Sequence, residues 1–328
     1  MSFKRSVALS LVTLLCCADR LLAGPTLLYD PANDKVLYSE EPDRLWHPAS
    51  VTKIMTAYVT FDAIKAGKLA LDTKIPYSSL AQKMPASKIG LAVGSEVTVD
   101  FALRAVIIKS ANDISVALAE AVGGSHDGFV KRMNETAKRL GMSRTKYVNP
   151  NGLPAPEQVT TARDLGRLAR AIINDYPQYA HYWTMATMRV GKRRLRSHNS
   201  LLRTFSGADG IKTGFICDSG YNVVASAQRD GLRLIAVVLG ERSAGARAQR
   251  AANLLEHGFG THGWKLFFEA RSLEDLPPST ESMATTSIRR AVCNRPRVRR
   301  RKKRRRRKSA TARKKTASAS ARKSSKRK

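Results

Sequence analysis

The chain has 328 residues, which is long enough for one large domain or two ordinary ones. Lys and Arg (58) outnumber Asp and Glu (26), so the formal net charge is +32. Cysteine and histidine do not occur at the spacing that zinc needs, and no glycine-rich phosphate loop is present. We therefore exclude a zinc site and a P-loop nucleotide site, and we expect no metal and no organic cofactor.

The first 23 residues have the layout of a secretory signal peptide. Lys4 and Arg5 precede an apolar run at residues 6–17, and the small residue Ala23 ends the segment. The run is short for a membrane span, and no later stretch is apolar and long enough to be one. We expect cleavage after Ala23 and an exported, periplasmic or envelope-associated protein, with an uncleaved anchor as the alternative.

The N-terminal half of the mature chain alternates between strand and helix patterns. Residues 26–39 predict two strands around a turn, and a helix follows from Ser50. Asp100 is the predicted N-cap of the next helix. Residues 111–122 and 126–140 predict two more helices, each ending at glycine.

In the second half of the chain the spacing of apolar residues changes from a helical pattern to a strand pattern. Thr160 or Thr161 is the predicted N-cap of one more helix, ARDLGRLARAII. From about residue 185 the segments TMRV, IKTG, YNVVASAQ and LRLIAVVLG predict strands, and their short connections favour antiparallel hairpins. Residues 243–262 predict a closing helix. The order predicts one α/β catalytic domain, residues 24–270, with an antiparallel sheet.

The end of the chain differs in composition. Residues 271–288 form a Pro/Ser/Thr linker, and residues 289–328 contain 22 Lys and Arg with no Asp or Glu. Because this basic tail has almost nothing apolar to bury, we predict that it is disordered. Behind a signal peptide we expect it to bind an anionic envelope surface rather than nucleic acid, or to be solvated without a specific partner.

The stretch HPASVTKIM, residues 47–55, places a serine and a lysine at the start of an otherwise apolar helix. Ser50 and Lys53 are three residues apart, so they lie on the same helix face. Such a lysine either snorkels to water or is kept dry for chemistry. The pattern Ser-x-x-Lys occurs three more times in the chain, so by itself it does not decide between these two.

Two further tripeptides are weak signals when taken singly. Ser110-x-Asn112 stands at a predicted helix start, where an ordinary N-cap explains it equally well. Lys212-Thr213-Gly214 lies on a predicted strand, where glycine lets another group approach the backbone. The order Ser-x-x-Lys, Ser-x-Asn, Lys-Thr-Gly, with separations of 57 and 100 residues, is specific for active-site serine penicillin-recognising enzymes.

With these motifs the chain resembles low-molecular-weight penicillin-binding proteins of the D-alanyl-D-alanine carboxypeptidase type. The resemblance covers about residues 25–262 and includes HPASVTKIMTAYV, KSANDISVALAE, VNPNGLP, TTARDLGRLA, DGIKTGF and GYNVVASAQRDGLRLIAVVLG. It implies a β-lactamase/transpeptidase-like α/β fold, in which helices flank a five-stranded antiparallel sheet and a helical subdomain is added. It also implies a peptidoglycan pentapeptide as substrate and β-lactams as covalent inhibitors.

Acyl transfer needs a nucleophile, a base and groups that hold the developing charge. Ser50 is the expected nucleophile, and Lys53 is its base if burial, the helix N-terminus and the Lys212 cation lower its pKa. By resemblance, Ser110 relays a proton from Lys53 to the leaving amine, and Asn112 holds the substrate amide.

Anion binding is expected from the strand and from one arginine. Lys212, Thr213 and Arg247 suit the terminal carboxylate of a carboxypeptidase substrate. Arg247 matches a family arginine, although its neighbours Arg242 and Arg250 leave an ordinary surface role open.

The oxyanion hole is expected to consist of the backbone N–H groups of Ser50 and Phe215, beside Gly214. Cys217 is expected close to the cleft as a buried thiol, without a bridge to Cys293. The second, β-rich domain and the amphipathic C-terminal anchor of many relatives are not expected here, since the linker and the basic tail stand in their place.

The same residues leave other functions open. A DD-endopeptidase or a serine β-lactamase would share the fold. A class A lactamase needs Glu-x-x-Leu-Asn between Ser110 and Lys212, which is not found, and Glu157 is the nearest candidate in the wrong context. A catalytically inert polyanion-binding protein would use only the basic tail.

Overall fold

A computed structural model describes residues 24–267, 271–277 and 285–294 of the chain. The predicted signal peptide and most of the predicted basic tail lie outside the described residues. By internal contacts the chain divides into two units, Met1–Arg289 and Arg290–Lys328. Within the described ranges, no helix has both the length and the apolar character needed to cross a bilayer.

A sheet of five antiparallel strands forms the centre of the first unit, and these strands are β1 (Thr26–Asp30), β2 (Lys35–Glu40), β7 (Ala208–Ile216), β8 (Gly220–Arg229) and β9 (Leu232–Glu241). Their order across the sheet is β2-β1-β9-β8-β7. The predicted strand pair at the N-terminus and the predicted strands IKTG, YNVVASAQ and LRLIAVVLG are confirmed. The Lys-Thr-Gly motif therefore lies on an edge strand, where one side remains open to a peptide.

The α-helices of the described residues are α1 (Lys53–Lys65), α2 (Ser79–Lys83), α3 (Val99–Arg104), α4 (Asn112–Gly123), α5 (His126–Arg139), α6 (Ala162–Asp175), α7 (Ala180–Thr184), α8 (Leu201–Thr204), α9 (Ala244–Phe267) and α10 (Arg289–Val292). The last of these begins in the range predicted to be disordered. Thr161 caps α6 by accepting a hydrogen bond from the N–H of Asp164, as predicted.

Helices cover both faces of the sheet because alternate strand residues point to opposite sides. Leu28 faces α9 and joins a core cluster with Ala251 and Leu255. Leu27, the preceding residue, lies against Gly166 of α6, where a β-carbon would stand 2.6 Å from the leucine methyl. The predicted arrangement of a sheet with helices on both faces is confirmed.

A helical subdomain is built from α1 to α5 with the small strand pair β3 (Lys74–Pro76) and β4 (Glu96–Thr98). The prediction of Asp100 as a helix N-cap is wrong. Thr98 caps α3, since its side chain accepts a hydrogen bond from the N–H of Phe101. Asp100 lies in the first turn and accepts from Tyr182 at 2.8 Å, so a tertiary contact uses the carboxylate that local sequence assigned to the cap.

A second small hairpin, β5 (Thr187–Val190) and β6 (Arg193–Arg196), leads back toward the sheet. After α9 the described residues 271–277 lie along α6. Leu273 is fully buried there, and Arg163 donates hydrogen bonds to its carbonyl oxygen and to both carboxylate oxygens of Asp43. Part of the predicted linker is thus packed against the catalytic domain.

Candidate active site

Ser50 lies in a short 3-10 turn, Ala49–Thr52, that leads directly into α1. Lys53 is the first residue of that helix and is completely buried. Its Nζ donates hydrogen bonds to Ser50 Oγ at 3.0 Å, to Asn112 Oδ1 at 2.8 Å and to the carbonyl oxygen of Asn151. The lysine is therefore held dry against the serine, and the alternative that it snorkels to water is wrong.

The pKa of Lys53 is lowered well below the ordinary value of 10.5. Burial is the main cause, and the nearby Lys212 cation lowers it further, while Asp113 opposes both. A lowered pKa increases the neutral fraction of the amine at physiological pH. The neutral amine can accept the proton of the Ser50 hydroxyl.

Ser110 and Asn112 stand where two helical segments meet. A π-helical turn, Ala105–Lys109, ends at Ser110, which has the left-handed backbone angle φ 60°. Asn112 begins α4 and is fixed through its side-chain N–H₂ to the carbonyl oxygen of Pro85 at 3.0 Å. This geometry points both side chains into the cleft beside Lys53.

Lys212 on β7 completes the polar centre from the opposite wall. It is almost fully buried, and its Nζ donates to Ser110 Oγ at 2.9 Å and to the carbonyl oxygen of Thr213 at 3.0 Å. Burial, followed by repulsion from Arg247, lowers the pKa of Lys212 to about 7. Two hydrogen-bonded lysine–serine pairs, Lys53 with Ser50 and Lys212 with Ser110, thus lie at the cleft.

Gly214 allows β7 to lie directly against the Ser50 turn. A β-carbon at Gly214 would stand 2.9 Å from both the Pro48 carbonyl oxygen and the Ser50 nitrogen. Gly152 plays the same part from the loop side, since its β-carbon would stand 1.9 Å from the Ala49 carbonyl oxygen. Both glycines therefore let the strand and the loop lie against the backbone of the Ser50 turn.

Arg247 is nearly buried, with 5% of its surface exposed, and donates a hydrogen bond to the carbonyl oxygen of His198 at 3.0 Å. Burial lowers its pKa to about 10. It lines the cleft together with Thr213, whereas Arg250 pairs with Glu40 at the surface. Of the arginines weighed from the sequence, Arg247 is therefore the one at the cleft.

The cleft has a volume of about 570 Å³ and contains predicted and unpredicted residues. Phe215 is 42% exposed at its rim and packs on Tyr221, with ring centroids 4.3 Å apart. The sequence did not predict that Leu153, His198 and Tyr221 line the cleft, or that the Asn151 carbonyl oxygen accepts from Lys53. Asn151 and Leu153 belong to the segment VNPNGLP, which was part of the family resemblance but had no predicted role in the site.

His198 was not predicted as a site residue, yet it lines the cleft. Burial, and then the surrounding cations led by Lys212, lower its pKa to about 4. The imidazole is therefore neutral near pH 7.

The expectation that Cys217 is a free thiol is wrong. Cys217 lines the cleft, as predicted, but it is disulfide-bonded rather than a free thiol, and Cys293 is disulfide-bonded as well. The prediction failed because the composition of the C-terminal segment was interpreted as disorder, whereas residues 285–294 have a described structure.

A family model described as D-alanyl-D-alanine carboxypeptidase matches residues 16–243. Among curated proteins, D-alanyl-D-alanine carboxypeptidase DacC of Escherichia coli is 39% identical over 240 residues, which are 71% of this chain and 60% of the relative. A D-alanyl-D-alanine endopeptidase of Pseudomonas aeruginosa is 33% identical over 251 residues, 73% of this chain and 79% of that protein. The chain spans about 60% of the length of the first carboxypeptidase relatives that it matches.

Solved structures are similar as well. Penicillin binding protein 5 from Haemophilus influenzae aligns with a TM-score of 0.70 and 33% identity, over 73% of this chain and 71% of that one. Penicillin-Binding Protein D2 from Listeria monocytogenes, in its ampicillin bound form, aligns with a TM-score of 0.67 and 31% identity over 72% and 97% of the two chains.

Proposed function

The chain belongs to the D-alanyl-D-alanine carboxypeptidase family, and on this premise we propose that it removes the terminal D-alanine from peptidoglycan stem peptides through an acyl-enzyme on Ser50. One observation carries the proposal. Lys53, fully buried, donates a hydrogen bond to Ser50 Oγ at 3.0 Å, within reach of the proton that the serine must lose.

In the acylation step Ser50 Oγ attacks the carbonyl carbon of the penultimate D-alanine, and its proton passes to the neutral Lys53. The negative charge that develops on the carbonyl oxygen is held by the backbone N–H groups of Ser50 and Phe215. The carbon–nitrogen bond then breaks, and Lys53 returns the proton through Ser110 to the leaving D-alanine amine. Water later hydrolyses the ester and frees Ser50.

Substrate orientation falls to the opposite wall. Asn112 holds the amide of the penultimate residue, and a peptide extended along the open edge of β7 pairs with its backbone. Thr213 and Arg247 bind the terminal carboxylate, and Lys212 adds positive charge. A guanidinium is suited to this task because its planar fork matches a carboxylate.

The same centre supports covalent binding of β-lactams, whose amide carbonyl Ser50 would attack in the same way. This proposal draws on the relative from Listeria monocytogenes, which is similar in structure and was solved in an ampicillin bound form. Fluorescent penicillin should label the wild-type chain at Ser50 and should not label Ser50→Ala. Release of D-alanine from a pentapeptide should be lost in the same variant.

The outcomes of this experiment separate the candidate activities. An adduct with D-alanine release supports the carboxypeptidase. An adduct with cleavage only of cross-linked peptides would favour an endopeptidase, for which the similar Pseudomonas aeruginosa protein is the supporting observation. Rapid destruction of penicillin without an adduct would indicate a β-lactamase, which the position of Glu157 argues against, because it is 67% exposed and paired with Lys146.

For the chain ends we propose export with cleavage after Ala23, and attachment of the basic tail to an anionic envelope surface. The support is the composition of residues 1–23 and 289–328. A chain ending at residue 294, which keeps every described residue, should bind anionic vesicles less tightly than the full chain at low salt. Equal binding of both chains would contradict the attachment.

A further inference from the structure

The segment Thr285–Arg289, here called the return segment, comes back to the active-site cleft after the catalytic domain. It lies beyond residue 243, where the match to the family model ends. Its partner is Asp218, in the turn between β7 and β8. The N–H of Ile288 donates to the Asp218 carbonyl oxygen at 2.9 Å, and Ser287 Oγ donates to Asp218 Oδ1 at 2.8 Å.

The surface beneath the return segment is shaped to receive it. Ile288 is 8% exposed, and its Cδ1 atom lies 2.6 Å from the point where a β-carbon of Gly220 would stand. Any side chain at Gly220 would therefore displace Ile288. Arg44 also donates to Thr286 Oγ1 at 2.8 Å. Backbone, apolar and polar contacts together hold the segment against the wall of the cleft.

Arg289 is the residue of this segment that lines the cleft containing Ser50. Its Nε and Nη2 donate to the two carboxylate oxygens of Asp218 at 3.0 and 2.8 Å, so one edge of the guanidinium is fixed. An arginine has five N–H donors in a planar fork, and a second edge formed by Nη1 and Nη2 remains for another carboxylate. The side chain is 52% exposed, which leaves that edge within reach of a ligand.

The two arginines of the cleft stand toward different ends of the motif strand. Arg247 lies close enough to Lys212, the neighbour of Thr213, to repel its charge, whereas Arg289 pairs with Asp218, the neighbour of Cys217. A strand rises roughly 3.3 Å per residue, so the three steps from Thr213 to Ile216, the last residue of β7, span about 10 Å. A peptide whose terminal carboxylate lies at Thr213 would bring its third or fourth residue from the C-terminus to Arg289.

We propose that the return segment is a fixed part of the substrate cleft and that Arg289 is a specificity-determining residue, which binds a carboxylate on the third or fourth residue from the C-terminus of the peptide. This inference rests on the proposed carboxypeptidase function and adds a preference on the acyl-donor side. Asp218 acts as the positioning residue that orients the guanidinium.

The test compares synthetic peptides that end in D-Ala-D-Ala. One pair carries either a free side-chain carboxylate or its primary amide at the third residue from the C-terminus, and a second pair carries this difference at the fourth residue. For at least one pair, the wild-type chain should favour the carboxylate in kcat/KM by roughly 10- to 100-fold, the size expected for a charge-assisted hydrogen bond. Arg289→Gln should bring that ratio close to 1.

Two more variants distinguish carboxylate binding by Arg289 from a general effect of removing a charge or of unfolding. Arg242→Gln removes an exposed arginine that does not line the cleft, and it should keep the wild-type ratio. Ile288→Asp removes the apolar anchor and should lower the ratio as Arg289→Gln does. Penicillin labelling of each variant reports separately whether the chain is folded and Ser50 is reactive.

The result that overturns the inference is cleavage of both members of each pair at equal rates by the wild-type chain. An Arg289→Gln chain that labels with penicillin and keeps the wild-type preference would overturn it as well. Failure of the proposed function is different, because no D-alanine would then be released from any of the four peptides by wild-type chains that label with penicillin.

Discussion

At the scale of single residues, Lys53 is a basic side chain that is completely buried in the fold. The cost of burying a charge is avoided if the amine is neutral, and the lowered pKa reflects this. Lys212 and Arg247 are also buried with lowered pKa values, so three basic groups share one small cleft. Such a concentration of perturbed groups is typical of a catalytic centre.

The first prediction concerns the base. Lys53→Arg keeps a long basic side chain but cannot become neutral, because arginine holds its proton at any accessible pH. The rate of Ser50 acylation by fluorescent penicillin should fall by roughly 10²- to 10⁴-fold, the usual contribution of a general base. The exposed Lys68→Arg is the matched control and should acylate at the wild-type rate. A fully active Lys53→Arg chain would exclude Lys53 as the base.

The second prediction uses the coupling between the two lysines. The Lys212 cation lowers the pKa of Lys53, so Lys212→Met should raise that pKa. Because only the neutral amine acts as a base, the acid limb of the pH profile of penicillin acylation should move to higher pH. The midpoint of this limb is the quantity to compare, since the substitution also reduces the amplitude. An unchanged midpoint would show that the two amines do not interact in the cleft.

At the scale of elements, the site depends on how closely strand β7 approaches the turn before α1. The approach requires Gly214 on the strand and Gly152 on the facing loop. Asn222 on β8 supports the turn from below by donating to the carbonyl oxygens of His47 and Pro48, at 3.0 and 3.2 Å. The nucleophile is thus positioned by the sheet as much as by its own helix.

The third prediction tests this approach. In Gly214→Ala the new methyl group would lie 2.9 Å from the Ser50 nitrogen, so the strand must move away, which would open the proposed oxyanion hole. We expect acylation to fall about 100-fold and the free energy of unfolding to fall by about 1–3 kcal/mol. Gly260→Ala, in helix α9 with open space around it, is the control and should be neutral or slightly stabilising. Normal acylation by Gly214→Ala would contradict the close approach.

At the scale of the whole molecule, the buried basic groups couple stability to pH. Lys212 has a pKa of about 7 in the folded chain, against 10.5 for an ordinary lysine. Between these values the unfolded chain binds more protons than the folded one, so this residue makes the free energy of unfolding rise with pH. Below about pH 7 both states are protonated, and the full cost of burial remains.

The fourth prediction follows from that sign. Lys212→Met removes the buried charge, so the variant should be more stable than the wild type at pH 7, and this advantage should shrink as the pH approaches 10. Urea midpoints measured for both chains at pH 7, 8.5 and 10 give the comparison. A constant difference in stability across this pH range would mean that the pKa of Lys212 is not lowered in the folded state. Gain of stability at the expense of activity is expected where a site is held in a costly arrangement.

Much of the fold was predictable because its signals are local. The apolar runs of β8 and β9, the glycines after α4 and α5, and Thr161 before α6 are all signals carried by residues close together in the chain. The prediction of Asp100 as an N-cap failed for the opposite reason, since its carboxylate accepts a hydrogen bond from Tyr182, 82 residues further along the chain.

The sequence by itself determined the motifs, their order and therefore the family, because the chemistry requires those side chains at those places along the chain. Only the tertiary structure decided that Lys53 is dry, that Arg247 rather than Arg250 reaches the cleft, and that His198 and Arg289 line it. The physical reason is that burial and long-range contacts depend on which distant segments pack together. Arg289 lies 239 residues after Ser50, and no periodicity or spacing in the chain records that it returns to the cleft.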